Sequence, residues 1–420
     1  MRKKIVFPLI LILMLVMGTN PASADNNQWI IKNDTPNPRV GAAVVSVNDK
    51  IYVIGGAVGT TSYADVQEYD PISDTWTTKS SMPTKRGATS AAVVNGKIYV
   101  IGGYTGNLQS ISGGDYSAAV EEYDPITDTW TSKKPMKTPR TWVSSASYNG
   151  KIYTMGGVNA SSDMLNVIEE YNPETDTWTT KKNMTNGYHA MSLVSTSNGI
   201  YSFGGGGPST ATTNAVKLYH PETDVWEVVA TMPYAADGIS SSEYNGKIYV
   251  VGGTKSSTEK AISNALVFDI KTNTFSPIAS LNTARVAHGV AVANGKLYAI
   301  GGTAVKPWYG GVNMVEEYSL GDSEQPTDPE NPPTEPGNPN PEPIGERAIL
   351  EIMLQNGVVK EFDLSMNEVQ SFINWYEKKS EGQGPVTFAI DKHDNNKGPF
   401  KARKDYIIFD KIINFEVNEY

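Results

Sequence analysis

A six-bladed all-β propeller is the fold that this sequence predicts, and three recurring features predict it. A glycine pair occurs six times, at intervals of 47 to 54 residues. A short β-rich run of the Ile-Tyr-Val-Ile kind precedes each pair, and a tyrosine or phenylalanine follows it. In five units a tryptophan or phenylalanine comes about seven residues later. A long repeat in which each copy is one small β unit is typical of propellers.

Each unit predicts four strands in series. The first is a small apolar segment such as 41–47, and an Asn-Asp or Asn-Gly turn joins it to a second strand that ends in the glycine pair. The third strand carries the tyrosine and the fourth the tryptophan. Glycine allows a close approach of backbones and rings, and the aromatic rings are expected to fill the wedge between blades. The pairs begin at Gly55, Gly102, Gly156, Gly204, Gly252 and Gly301.

The sixth unit has no tryptophan or phenylalanine about seven residues after its Tyr318, because the chain becomes proline-rich there. Trp29, in the segment 29–32 ahead of the first unit, is the candidate replacement. We expect this segment to form the fourth strand of the last blade, which closes the ring and covers its edges. Over about residues 27–320 the glycine pair, tyrosine and tryptophan resemble the kelch repeat. The Trp-Asp dipeptide of the WD40 propellers is absent.

The first 24 residues predict a secretory signal peptide. Three polar or basic residues after Met1 lead into an apolar run of about 13 residues from Ile5 to Met17, and Ala22-Ser23-Ala24 offers small residues for cleavage after Ala24. A membrane anchor is the alternative, but the run is shorter than the roughly 20 residues a spanning helix needs. We therefore expect a secreted, extracellular or surface-associated protein of bacterial type, with no membrane span after cleavage.

Composition divides the remainder and excludes several functions. The propeller is predicted over 25–320, a stiff linker with eight prolines and six acids over 321–345, and a small α+β domain over 346–420. The last domain contains the motifs Asn-Trp-Tyr at 374–376, Gly-Pro-Phe-Lys at 398–401 and Asp-Tyr-Ile-Ile-Phe-Asp-Lys at 405–411. With these it resembles a C-terminal module of extracellular proteins of Gram-positive bacteria, for which no activity is implied. The chain has no cysteine, which excludes thiolate chemistry, and a net charge of −10 argues against nucleic acid as a partner. The oligomeric state is left open.

Four arginines recur sixteen residues before a glycine pair. Such a set is expected to ring one mouth of the central channel and to suit a carboxylate or phosphate group. A structural role, in which each arginine ties blades together through loop carbonyls, is the alternative and the more natural one for a residue repeated in four blades. The six positions are Arg39, Arg86, Arg140, Tyr188, Ala236 and Arg285.

Residues that break the repeat are the further candidates for ligand binding. Trp142 is the single large residue at a position where the other blades have glycine or alanine. Aromatic faces beside polar groups suit sugar rings, although Trp142 is equally suited to plug the channel and Trp308 to pack on its own loop. The candidates are Trp142, Tyr188, His189, Asp237, His288, Trp308 and Tyr309. The histidines lie in different units without ligand spacing, so no metal site and no cofactor are predicted.

The sequence is compatible with three classes of function: a binding protein, an enzyme and a structural spacer. We expect a non-catalytic binding protein that presents propeller loops to a glycan or a protein. The resemblance to six-bladed kelch proteins of the exported sialic-acid mutarotase kind implies the alternative, an enzyme that uses arginine and glutamate near the channel. No catalytic glutamate is matched by motif, since Glu68, Glu122, Glu170 and Glu317 follow the repeat's own register. The kelch copper oxidases are excluded because they need a cysteine. A spacer that displays the C-terminal domain is the third possibility.

Overall fold

In the computed structural model, the segment 28–320 folds as a ring of six four-stranded antiparallel sheets, as the repeat predicts. The structure describes residues 28–107, 115–207, 212–255, 260–304, 310–320 and parts of 347–419. The predicted signal peptide and linker lie outside the described residues. Within these residues, no helix is long and apolar enough to cross a membrane.

Each blade takes its strands from one sequence repeat, except the last. The strands run outwards from the channel in chain order. They are Ala43–Val47, Lys50–Ile54, Val66–Asp70 and Thr75–Lys79 in blade 1; Ser90–Val94, Lys97–Ile101, Val120–Asp124 and Thr129–Lys133 in blade 2; Ser144–Tyr148, Lys151–Met155, Ile168–Asn172 and Thr177–Thr180 in blade 3; Ser192–Thr196, Gly199–Phe203, Ala215–His220 and Val225–Thr231 in blade 4; Ser240–Tyr244, Lys247–Val251, Ala265–Asp269 and Thr274–Ile278 in blade 5; and Gly289–Ala293, Lys296–Ile300, Val315–Ser319 and Trp29–Lys32 in blade 6. A short hairpin, Ala57–Val58 with Thr61–Ser62, extends a loop of blade 1.

Trp29 closes the ring, as predicted. The strand Trp29–Lys32 pairs antiparallel with Val315–Ser319, with Trp29 opposite Tyr318. The two ring centroids lie 5.3 Å apart, and the indole Nε1 donates a hydrogen bond of 2.7 Å to the carbonyl of Ala279 in blade 5. The first and last strands of the repeat region are therefore joined, and Val315–Ser319 is paired on both of its edges.

The hydrophobic core lies between neighbouring blades. One buried cluster combines Ile54 and Val66 of blade 1 with Ile98 and Tyr123 of blade 2, and equivalent clusters follow around the ring. Because each blade contributes one face to each of two clusters, no blade buries its apolar surface alone.

The glycine pairs join each blade to the next. The second glycine of every pair donates a backbone hydrogen bond to a carbonyl of the following blade, at the position sixteen residues before that blade's own pair. Gly56, for example, donates to Arg86 at 3.0 Å. A Cβ at Gly55 would lie 2.6 Å from the same carbonyl oxygen. The pair is therefore required by close approach between blades as well as by its positive φ.

A second set of contacts joins the blades at their outer rim. In blade 1, the Tyr69 hydroxyl donates to Asp74 at 2.6 Å, and Asp74 accepts the backbone amide of Asn33 at 3.0 Å. Trp76 Nε1 donates to the carbonyl of Asn33. Blades 2 and 3 repeat the arrangement. The tyrosine and tryptophan of the repeat thus hold the residue that follows the outer strand of the preceding blade.

The C-terminal residues form a second compact unit, since the chain divides into Met1–Thr327 and Asp328–Tyr420. Three strands form one sheet in the order Val359–Ser365, Arg347–Leu354, Ile412–Glu419, and Thr387–Asp391 pairs with Lys404–Ile408. Helical residues occur within 369–379. Val369 and Phe372, three positions apart in this helical segment, are buried in one apolar cluster with Leu350 and Phe362.

Candidate functional site: the axial channel and its mouth

The four repeated arginines lie inside the blades. Their side chains are at most 1% exposed, and each guanidinium forms an ion pair with a carboxylate on or beside the third strand of its own blade. The pairs are Arg39–Asp65, Arg86–Glu121 at 2.7 Å, Arg140–Glu169 at 2.8 Å and Arg285–Glu316. Burial lowers the pKa of Arg140 to about 10, with Glu169 opposing the change, so the guanidinium stays charged at neutral pH.

These contacts correct the expectation of an arginine ring open to ligand at the channel mouth. The guanidinium groups also donate to the blade's own groups: Arg86 to the carbonyl of Val100 at 3.0 Å and Arg140 to the hydroxyl of Thr154 at 2.8 Å. A buried ion is tolerated only when paired and hydrogen-bonded, and the terminal guanidinium nitrogens of these arginines have such partners inside the blade, whereas Nε of Arg39, Arg86 and Arg140 has none among the described residues. Their side chains brace strands within each blade, and they have no exposed surface for a carboxylate or phosphate.

Blades 4 and 5 have different residues at both positions of this pair. In blade 4, Tyr188 replaces the arginine and Lys217 the glutamate, and the Lys217 ammonium lies 4.6 Å from the Tyr188 ring centroid. In blade 5, Ala236 and Leu266 replace them, and both lie in a buried apolar cluster. Both partners have therefore changed in each blade.

The axial channel contains a cavity of about 180 Å³ where the first strands begin. Its lining is rich in serine, including Ser145, Ser192 and Ser241. The hydroxyls of Ser192 and Ser241 lie 2.6 Å apart, and Ser145 Oγ is buried without a hydrogen-bond partner among the described residues. The cavity can therefore hold small polar groups. The signal that the sequence analysis did not use is the run of paired serines in the first strands of blades 3 and 5.

Six residues with left-handed backbone encircle this cavity at its mouth. Backbone hydrogen bonds link them from blade to blade, for example from Trp142 N to the Ala88 carbonyl at 2.9 Å and from Ala190 N to the Trp142 carbonyl at 3.0 Å. They are Gly41, Ala88, Trp142, Ala190, Gly238 and Ala287, with φ between 49° and 60°. This is the position at which Trp142 breaks the repeat.

The Trp142 indole reaches across the mouth towards blades 1 and 2. A Cβ at Gly41 would lie 3.4 Å from its Cη2 atom, and the ring packs on the cluster formed by Ala57, Ala88 and Tyr104. Tyr116 joins the same cluster, with its ring centroid 5.3 Å from that of Tyr104. Trp142 stays half-buried. It lines the cavity and offers part of its ring at the surface, and Tyr116 was not among the predicted residues.

His288 lines the cavity but is buried between blades 5 and 6. A Cβ at Gly252 would lie 2.6 Å from His288 Cε1, and neither ring nitrogen has a partner among the described residues. Burial, assisted by the charge of Arg285, lowers the pKa of His288 to about 3. The imidazole is therefore neutral at physiological pH and fills the slot that Met191 and Ile239 occupy in blades 4 and 5.

Of the remaining predicted residues, His189 and Asp237 lie on the face of the propeller that carries the cavity mouth. His189 Nδ1 lies 2.9 Å from the Gly206 carbonyl, and Asp237 is buried, pairing through its backbone with Thr254. The two occupy equivalent positions in adjacent blades. Trp308 and Tyr309 lie outside the described residues.

The glutamates considered for catalysis are also held inside the blades. Glu170 accepts hydrogen bonds from Lys151 at 2.6 Å and from the Tyr153 hydroxyl at 2.9 Å. Glu317 has the same pair of partners, Lys296 and Tyr298. Glu68 and Glu122 each accept from a lysine or tyrosine in the corresponding place. Repetition of these contacts in four blades indicates that they stabilise the third strand.

Taken with the axial cavity, this architecture defines a β-propeller with a small, serine-lined cavity at one mouth of its channel. More specifically, the chain is a six-bladed kelch-repeat propeller. Residues 15–191 match a family model described as the KLHDC2/KLHL20/DRC7 Kelch-repeats domain, and residues 131–307 match the Attractin/LZTR1 beta-propeller.

Individual relatives share shorter segments. A 77-residue segment, 18% of this chain, is 35% identical to an uncharacterised protein of Clostridium acetobutylicum and covers 19% of it. A 47-residue segment, 11% of this chain, is 49% identical to the influenza virus NS1A-binding protein homolog B of Danio rerio and covers 7% of it. The chain thus matches only a small part of the length of these relatives. The solved structure of YjhT superposes with a TM-score of 0.57 at 17% identity, over 68% of this chain and 96% of YjhT, which shows a shared fold.

Proposed function

We propose that this is a secreted binding protein whose propeller presents the channel mouth around Trp142 to a glycan or a protein partner. The observation that carries the proposal is Trp142, whose backbone lies in the left-handed region and whose indole is half-buried at the mouth. A bulky residue in the left-handed region is a backbone outlier that costs about 1–3 kcal/mol. Gly41 and Gly238 avoid this cost, while Ala88, Ala190 and Ala287 bear it with a side chain that ends at Cβ. Trp142 is the one bulky side chain at this position of the six blades.

The surroundings of Trp142 support a ligand with both apolar and hydroxylated faces. The aromatic rings of Tyr104 and Tyr116 lie in the same cluster, while serine hydroxyls line the cavity beneath. Aromatic faces beside hydroxyl groups suit the C–H faces and hydroxyls of a sugar ring, and Trp and Tyr are equally enriched in protein interfaces.

The export of the protein rests on the sequence alone. The basic start, short apolar run and Ala-Ser-Ala site support removal of residues 1–24. A proline-rich segment at 321–345 and a second compact unit follow the propeller. This order suits a protein in which a stiff spacer separates the binding propeller from a domain that is attached elsewhere.

A glycan array with residues 25–420 tests the proposal directly. We expect binding to a defined glycan class that Trp142→Ala weakens at least about tenfold, as the loss of a stacked aromatic ring predicts. Ile126→Ala, at an outer turn where the side chain is 87% exposed, is the matched control and should bind as the wild type does.

The protein-partner arm uses a photo-crosslinking amino acid at position 142, with position 126 as its control. If no glycan binds, an adduct formed at 142 and not at 126 with one secreted or surface protein supports the protein ligand. Failure of both arms would contradict the assignment of the mouth as a binding site.

The enzyme alternative receives no support from the geometry of the described residues. It relied on channel arginines and a free glutamate, and both residue types are held in internal pairs such as Arg140–Glu169 and Tyr153–Glu170. Catalysed anomer exchange of a sialic acid, followed by NMR, would nevertheless establish it and replace the present proposal.

A further inference from the structure

A second cavity lies within blade 4, away from the axis. Its volume is about 130 Å³. Four of its lining residues correspond, by a constant offset of 48 positions, to the residues that hold the arginine–glutamate pair in blade 3. Tyr188, Ser202, Ala215 and Lys217 stand where Arg140, Thr154, Val167 and Glu169 stand. The cavity is therefore the space that the ion pair fills in other blades.

Loss of the ion pair does not by itself leave a cavity. Blade 5 has also lost it, but Ala236 and Leu266 are packed there with Phe203 and Ile239 in one buried cluster. An unfilled cavity destabilises a core in proportion to its volume. Blade 4 therefore differs from blade 5 in keeping a space that its sequence has not filled.

The backbone of blade 4 is also altered beside this cavity. Its two outer strands carry a register irregularity between Val216 and Lys217, and the outermost strand is extended to Val225–Thr231. Bulges of this kind re-aim a side chain and are common next to functional sites. The irregularity falls at Lys217, the residue that brings a positive charge to the cavity.

The lining combines a cation, polar groups and apolar surface. No carboxylate lies within ion-pair distance of the Lys217 ammonium among the described residues, whose observed partner is the Tyr188 ring. The lining carboxylate Glu227 is exposed and lies 3.6 Å from His220. Trp226 Nε1 is buried without a hydrogen-bond partner in the described part of the chain, whereas the equivalent indole of Trp178 donates to Lys134 at 2.8 Å.

We infer that this cavity binds a small organic carboxylate. Lys217, with the hydroxyls of Ser202 and Thr213, provides the charge-assisted and neutral hydrogen bonds that a carboxylate accepts. Met184, Met191 and Val228 provide apolar contacts for its hydrocarbon part. A cavity of about 150 Å³ holds a benzene ring, so the slightly smaller volume here encloses about six heavy atoms, which is the size of the hydrocarbon part of benzoate or hexanoate.

Benzoate and hexanoate are the probes, measured by calorimetry and by ligand-observed NMR on the whole protein. We expect saturable binding of at least one of them. Benzyl alcohol and hexanol, which have similar shape and no charge, should bind at least about tenfold more weakly.

Three variants assign the site. Lys217→Met should weaken carboxylate binding at least about tenfold. The double change Tyr188→Arg and Lys217→Glu restores the ion pair of blade 3, fills the cavity and should abolish binding while the fold is kept. Lys255→Met removes another lysine that lies over a tyrosine ring, 5.9 Å from Tyr234, and should leave binding unchanged.

Three outcomes would overturn the inference. These are no binding of either acid, equal binding of the acids and the alcohols, or undiminished binding by the filled double variant. Unfolding followed by circular dichroism identifies a variant that has lost its fold; in that event Lys217→Gln, which keeps the length of the side chain, replaces it. None of these outcomes depends on a ligand at the Trp142 mouth.

Discussion

Lys217 lies 4.6 Å above the ring of Tyr188 at the two positions that Glu169 and Arg140 occupy one blade earlier. A lysine in place of the glutamate would leave two buried cations together if the arginine had been kept. Like charges at such a distance in a core are strongly unfavourable. The change of arginine to tyrosine removes that conflict and converts an ion pair to a cation–π contact.

We expect the buried arginine–carboxylate pairs to matter for stability because removal of one partner leaves the other charge unpaired, and not because the core needs charged groups. Glu169→Leu leaves the Arg140 guanidinium buried without its carboxylate and should lower the free energy of unfolding by about 3–5 kcal/mol. The double variant Arg140→Met with Glu169→Leu should recover most of the loss, because no unpaired charge remains. Urea unfolding of the wild type, the two single variants Glu169→Leu and Arg140→Met, and the double variant forms a double-mutant cycle.

A surface pair serves as the control for that cycle. Lys50 and Asp70 lie 2.7 Å apart with about a third of each side chain exposed. Asp70→Asn should cost no more than about 1 kcal/mol. Similar losses for Asp70→Asn and Glu169→Leu would contradict the importance of burial.

Closure of the ring by Trp29 predicts a large effect of a residue near the start of the chain. Trp29→Ala should lower the free energy of unfolding by about 3–5 kcal/mol, since it removes a buried indole and its bond to Ala279. Ile31, in the same strand and 60% exposed, should tolerate alanine within about 0.5 kcal/mol.

Deletion of residues 25–35 extends this prediction. It should remove most of the stability and expose the edge of Val315–Ser319 to pairing with another chain. Thermal unfolding with light scattering measures both effects. A deletion variant that unfolds cooperatively at the wild-type temperature would contradict a closing role for this strand.

The glycine pair predicts a contrast between two glycines with similar backbone angles. Gly55 and Gly96 have φ of +63° and +74°, so alanine is strained by about 1–2 kcal/mol at either. A Cβ at Gly96 meets nothing within 4 Å, whereas one at Gly55 meets the Arg86 carbonyl. Gly55→Ala should therefore cost at least about 2 kcal/mol more than Gly96→Ala in denaturant unfolding. Equal costs would show that φ alone explains the pair.

His288 predicts a pH dependence of stability with a definite sign. Its pKa is about 3 in the folded protein against 6.5 for the free side chain, so the unfolded chain binds the extra proton first as pH falls. Its stabilising effect is present above pH 6.5 and is lost towards pH 3. The wild type should lose roughly 4 kcal/mol more than His288→Ile over this range.

The comparison with His288→Ile separates the effect of His288 on the unfolding free energy from that of the carboxylates, which titrate alike in both proteins. Isoleucine is chosen because Ile239 occupies the equivalent slot in blade 5. Unfolding free energies at pH 7, 5 and 4 provide the measurement. Parallel pH profiles would mean that the imidazole is not buried as neutral.

Much of the fold was predictable because it is written in local, repeated patterns. The turn dipeptides and the glycine pairs determine four strands per unit, and the missing sixth tryptophan directs attention to Trp29. The arginines were offered as a ligand-binding ring, with a structural role as the more natural alternative, because polarity in a sequence does not show where a long side chain ends. A usable signal was present in the sequence. Blades 4 and 5 have lost the arginine, at Tyr188 and Ala236. In the same two blades the residue two positions before the aromatic of the third strand is Lys217 or Leu266, whereas in the other four blades it is a carboxylate or an amide.

The candidate site divides in the same way. Trp142 could be selected from the sequence because it is the one large residue in a series of glycine and alanine. Its neighbours Tyr104 and Tyr116 belong to another blade, so their contact with it depends on how the blades are arranged around the axis.

By itself the sequence determined the number of blades, the strand order within each and the need for Trp29 to close the ring, because turns, glycine pairs and alternating strands act within one repeat. The tertiary structure decided which repeated side chains face the axis and which face the interior. That choice depends on partners about 30 residues away, such as Glu169 for Arg140. It also decided that blade 4 keeps a cavity beside Lys217 while blade 5 fills the same space, since a space is created only by the packing of all the side chains around it.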